Sequence, residues 1–127
     1  MMLIYDLHSI IRWIILIIAI ISVVKYLSIL MQKTEFSKTD NLLMVTLVGI
    51  LDLQLLAGLI LFVWLSISQK LFPSFRILHA VIMILAVVIV HLSAKWKKAE
   101  NSIRAKNNLL CIISAIALIL TGTFILP

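Results

Sequence analysis

The chain has 127 residues, 64% of them hydrophobic and 13% charged, with a mean hydropathy of +1.24 and a formal charge of +6. A soluble domain is typically about 45–50% apolar and about 25% charged, so five acids and eleven bases cannot coat a water-facing surface around this apolar volume. A soluble globular domain, a disordered chain and, with one cysteine, a disulfide framework or Cys-based metal site are all excluded. An all-α integral membrane protein remains.

The first apolar stretch runs over about 9–31. It lacks a basic leader and a small-x-small cleavage site, so it reads as a span rather than a signal peptide. It opens on His8 and Arg12, four apart and therefore on one helical face. The second stretch, about 42–67, carries Asp52 near its middle and Gln54 on nearly the opposite face. The third, about 75–94, follows Pro73 and begins with Arg76 and His79, again on one face. Arg76, His79, Met83, Ala86, Val90 and Lys97 fall on a single stripe there. His91 lies twelve residues beyond His79, about 18 Å along the same helix and off that stripe. The fourth, about 109–126, presents a small, polar face of Asn107, Cys111, Ser114, Ala115, Thr121 and Gly122. Small residues permit close helix approach. Cys111 itself reads as a small buried hydrophobe.

Each stretch is close to the ~20 residues that a helix needs to cross a bilayer, and backbone in lipid must bond to itself. Short connections predict one up-down-up-down four-helix bundle. Lys25, Lys33, Lys38, Lys95, Lys97, Lys98, Arg104 and Lys106 lie at one end, with Arg12, Lys70 and Arg76 at the other. Positive loops stay inside. This predicts a membrane protein with the first and third connections cytoplasmic and both termini outside. The positive charge is then topological bias and attraction to anionic lipid. It needs no nucleic-acid partner.

Ionisable groups in a membrane face the bundle interior or snorkel. By this topology His8 with Arg12, and Arg76 with His79, lie at similar depth near the outer surface. Two imidazoles can ligate a haem iron, and arginines suit carboxylates such as the propionates. Met83, one turn from His79, would pack on the ring or replace a ligand. The blander reading makes His8 an interfacial histidine at a helix start, Arg12 a snorkelling side chain, and His79 and Met83 core residues. Spacing alone favours the blander reading. Copper or zinc on His8 and His79 ranks lower, because no third ligand is evident. Asp52 and His91 can come within reach of each other, as a proton relay, a quinone contact or a structural hydrogen bond. Neither is expected to ligate haem.

The segments "LHSIIRW" (7–13), "DLQLLAGLILF" (52–62), "RILHAVIMILA" (76–86) and "HLSAKWKKA" (91–99), with a proline at the C-terminal end, resemble a group of small bacterial four-helix membrane proteins labelled "cytochrome b". More distantly the layout is similar to other four-helix families, some of which bind haem b, including the membrane-bound protoporphyrinogen oxidase type. The match takes in His8, Arg12, Asp52, Gln54, Gly58, Arg76, His79 and His91. Leu78 departs from it, standing where the pattern has an acid before the histidine. The resemblance implies haem b, with His8 and His79 as axial ligands, Arg12 and Arg76 near the propionates, and electron transfer with quinone or a respiratory subunit. The rivals are a cofactor-free scaffold or accessory subunit, and a small proton-conducting transporter using Asp52 and His91. The transporter is weakened by spans that lack the Gly and Pro breaks of discontinuous helices. A homo-oligomer, or a partner chain that supplies a missing ligand, stays open.

Overall fold

A computed structural model describes residues 2–70 and 73–125. Four helices follow in order: α1 (Met2–Gln32), α2 (Lys38–Gln69), α3 (Ser74–His91), continued by a 3-10 segment (Leu92–Trp96), and α4 (Asn101–Ile125). All four spans, α3 counted with its 3-10 extension, are long and apolar enough to cross a membrane. The helices overrun the predicted spans at both ends of α1 and α2 and at the start of α4. Hydropathy marks the lipid-immersed turns, while hydrogen bonding carries the helix on into the interface. Leu126, the end of the predicted fourth span, and Pro127, part of the resemblance, lie outside the described residues.

Each helix packs on its neighbours in chain order, and α4 closes on α1. The result is an antiparallel four-helix bundle, with α1 diagonally opposite α3. One end, here the terminal end, holds the start of α1, the end of α2, the start of α3 and the end of α4. The other, the basic end, holds the first and third connections.

Local chemistry sets the helix ends. Ser37 caps α2 in a reciprocal box: its hydroxyl accepts from the Asp40 N–H, and the Asp40 carboxylate accepts from the Ser37 N–H at 2.8 Å. This satisfies two donors that a helix start otherwise leaves free. Pro73 precedes α3 in extended conformation, and its carbonyl accepts from the Arg76 and Ile77 N–H groups. Proline at a helix start loses no intrahelical bond.

The packed core fills the basic half of the bundle. Buried residues recur on α1 at Ile15, Ala19, Ser22, Tyr26 and Ile29, on α2 at Met44, Leu47 and Leu51, and on α3 at Ala86, Val87 and Val90. On α4 they recur at Ala105, Leu109, Ile112, Ala115 and Ile119. Tyr26 ties α1 to α2 by donating to the Asp40 carbonyl at 2.8 Å, and its ring stacks on Phe36 at 5.3 Å. Lys25 reaches Asp40 at 3.7 Å.

Two face assignments are corrected. Of the small face read on α4, Cys111, Ala115 and Gly122 are buried as expected, but Ser114 and Thr121 point outward, and Asn108, Leu109, Ile112 and Ile119 complete the buried face. The Thr121 hydroxyl bonds its own helix at the Ala117 carbonyl and needs no neighbour. Lys97 also leaves the α3 stripe. The tighter 3-10 winding that begins at Leu92 breaks the helical register, and Lys97 is exposed.

Candidate functional site

Toward the terminal end the core stops. On α2 no residue between Leu51 and Leu61 is buried, and on α3 burial begins only at Ala86. The space between is a cavity of about 340 Å³ lined by all four helices. Its floor is formed by Ile15, Leu51, Ala86, Val87 and Ile119, the last layer of the packed core.

His8 and Arg12 on α1, Gln54 and Gly58 on α2, and Arg76, His79 and Met83 on α3 all line this cavity. His8 and His79 come from diagonally opposed helices and lie within electrostatic reach of each other. His8 stands in the second turn of α1, half-buried and packed on α2. A Cβ at Gly58 would stand 3.1 Å from His8 Cε1, so glycine there lets the edge of the ring come close to α2. The Gln54 amide donates to the His8 carbonyl at 2.7 Å, which locks α1 to α2 at the level of the ring. Gln54 therefore belongs to the cavity, on the other face of α2 from Asp52 and its partner His91.

His79 is oriented more firmly. Its Nδ1 lies 2.8 Å from the Gly122 carbonyl. A carbonyl only accepts, so Nδ1 carries the proton and the Nε2 lone pair of the neutral ring is left free. A histidine that ligates a metal is commonly held in this way, by a backbone carbonyl at the other nitrogen. Gly122 also makes room for Met83, whose methyl group occupies the place a Cβ would take. The partner role of Gly122 had no signal beyond its small size.

The cavity is poor in internal partners. Among the described residues seven buried side-chain polar atoms have no hydrogen-bond partner, and four of them belong to its lining: His8 Nδ1, Arg12 Nε, Gln54 Oε1 and Arg76 Nη1. Buried polar groups are ordinarily bonded, and each one left bare costs about 1–3 kcal/mol. Arg76 makes one bond, from Nη2 to Gln69 Oε1 at 3.0 Å, and Arg12 packs over Trp13 at 5.3 Å. Neither has a carboxylate partner among the described ion pairs.

Asp52 and His91 form a separate pair. His91 Nε2 and Asp52 Oδ1 lie 2.8 Å apart, with about half of each side chain exposed on the outer face of the α2–α3 seam. Asp52 is fourteen residues from Lys38 and seventeen from Gln69, so about 21 and 26 Å of helix separate it from the two ends. The pair therefore sits well inside the span of α2. Cys111 is buried on α4. Among the described residues no three His, Cys, Asp or Glu side chains gather as a metal site.

Compared with known proteins, the chain matches no family model, no curated protein and no solved structure.

Proposed function

We propose that the chain is a small b-type cytochrome of the bacterial inner membrane, binding haem b in the terminal-end cavity. His8 and His79 would hold its iron, Arg12 and Arg76 would take the propionates, and Met83 would pack beside it. The observation that carries this reading is the chemistry of the lining. Two imidazoles from opposed helices and two guanidinium groups without carboxylates face one cavity, and four of its buried polar atoms lack partners. That donor set suits an apolar ring bearing carboxylates. The cavity volume falls in the range of small-molecule sites, roughly 300–1,000 Å³.

Haem held there supplies one-electron transfer, at a potential tuned by its ligands and surroundings. The chain's own residues do the rest. The His79–Gly122 bond presents Nε2, Gly58 seats the His8 ring, and the apolar floor keeps water from the inner part of the site. Quinone or a respiratory-chain subunit is the redox partner. The basic end faces the cytoplasm, as the positive-inside bias requires, which places both termini and the cavity on the periplasmic side.

One observation favours the cofactor-free accessory subunit. The Asp52–His91 pair is half-exposed where lipid would lie, and a neighbouring subunit, or a second copy of this chain, would cover it. The visible spectrum of the detergent-purified protein, expressed with ample haem, separates the two readings. A Soret band at one haem per chain supports the cytochrome. A colourless preparation overturns it and leaves the accessory subunit.

A further inference from the structure

At the basic end a second, open cavity of about 660 Å³ lies between the first turns of α2 and the connection from α3 to α4. Arg104 is fixed beside it. Its Nη2 donates to Asn41 Oδ1 at 2.6 Å, and its guanidinium carbon lies 4.1 Å from the centre of the Phe36 ring. Phe36 is itself held, since its N–H donates to Asn101 Oδ1 at 3.0 Å. Lys38 and Lys97 flank the same cavity from α2 and from beyond α3, both exposed. The described ion pairs are Lys25–Asp40 and His91–Asp52, so none of the three bases lining this cavity has a carboxylate within 4.0 Å. Asp40 is the acid closest in sequence on α2, and its oxygens serve the Ser37 cap and Lys25.

Three unneutralised bases, one of them preorganised by stacking and a hydrogen bond, make a site for an anionic oxygen group such as a phosphate. The rest of the groove is apolar. From Lys38 and Asn41, α2 continues to Leu42 and Val45, which also line the groove and are 62% and 52% exposed. The groove therefore runs from cationic to apolar within about two turns of helix. A free phosphate would use only half of it. We propose that this groove binds an anionic phospholipid, its phosphate between Arg104, Lys38 and Lys97 and an acyl chain along Leu42 and Val45. Basic pockets between membrane helices are suited to such headgroups. The proposal does not depend on haem.

The test uses the whole chain, delipidated in neutral detergent, with phosphatidylglycerol, phosphatidylcholine or inorganic phosphate added, read by native mass spectrometry and by thermal unfolding. Phosphatidylglycerol is retained and raises Tm, while phosphatidylcholine and inorganic phosphate do neither. The Lys38→Ala, Lys97→Ala double variant touches only exposed side chains and keeps the fold. It loses roughly thirty-fold in phosphatidylglycerol affinity, whereas Lys70→Ala, at the other end of the bundle, changes nothing. Equal retention of the two lipids, equal stabilisation by inorganic phosphate, or an equal loss in Lys70→Ala overturns the proposal.

Discussion

At the terminal end, His8, Arg12, Gln54 and Arg76 turn polar atoms into a cavity where four of them find no protein partner. Farther along the bundle Asp52 and His91 face outward and bond to each other at 2.8 Å. Both sets lie on helices that span a membrane, where polar groups are expensive, yet they meet that cost differently. The outward pair offsets part of its cost with a bond between its own two members. The inward set makes two hydrogen bonds, from Gln54 to the His8 carbonyl and from Arg76 to Gln69, and still leaves four buried polar atoms bare. A cavity built that way is more stable with a ligand whose acceptors reach those donors, because anything that binds only the folded state adds to its stability. The difference in satisfaction, rather than the shared presence of histidine, separates the site from the pair.

The histidines break or confirm this contrast most sharply. With haem bound, His8→Ala and His79→Ala should each abolish or strongly alter the Soret band, while His91→Ala keeps it at full stoichiometry. His91 lies about 18 Å along the helix from His79 and does not line the cavity. The reverse pattern, haem lost in His91→Ala and kept in His8→Ala, would move the site to the α2–α3 seam and end the comparison.

The arginines should show a smaller, graded effect. Arg12→Gln or Arg76→Gln removes a charged donor whose bond to a carboxylate is worth about 1.5–3 kcal/mol, or roughly ten- to a hundred-fold in haem affinity. Haem transfer from each variant to an apoglobin measures it. Arg76 also gives up its exposed bond to Gln69, which is worth little at the surface. Unchanged transfer rates in both variants would mean that the guanidinium groups serve headgroups rather than the cavity.

Hydropathy and charge were enough to read four spans, their antiparallel order and the two ends of the bundle. His8, Arg12, Arg76 and His79 were also readable as one constellation, because four-residue and three-residue spacing fixes a face and topology fixes depth. The Asp52–His91 contact followed from the same depth argument. Other features were hidden for physical reasons. On α4, Cys111, Ala115 and Gly122 turn inward as read, but Ser114 and Thr121 do not, because small polar residues suit both a close interface and a lipid-facing turn with its own hydroxyl bonds. The Phe36–Arg104 stack joins residues far apart in sequence, and no periodicity within one helix could indicate it. The anchoring of His79 depends on a glycine carbonyl 43 positions away, and backbone groups carry no residue code at all.

The smallest expected effect is the most informative about the outward pair. Asp52→Leu alone leaves His91 without its partner where lipid lies, and should cost about 1–3 kcal/mol of bundle stability, the penalty of an unsatisfied polar group. His91→Leu should behave alike, stranding Asp52. Replacing both removes two polar groups that satisfy only each other, and leucine suits a lipid-facing surface. The double variant should therefore lie within about 0.5 kcal/mol of the parent, or above it, since apolar replacement of a whole buried pair is often neutral or stabilising. Unfolding in detergent–lipid mixtures gives the three values, and their non-additivity is the coupling energy of the pair. A double variant that is much less stable than either single one would show that Asp52 and His91 hold something besides each other. In a protein whose stability falls with dilution, that something is a neighbouring copy of the chain. The outward pair would then resemble the cavity after all, as a set of polar groups waiting for a partner.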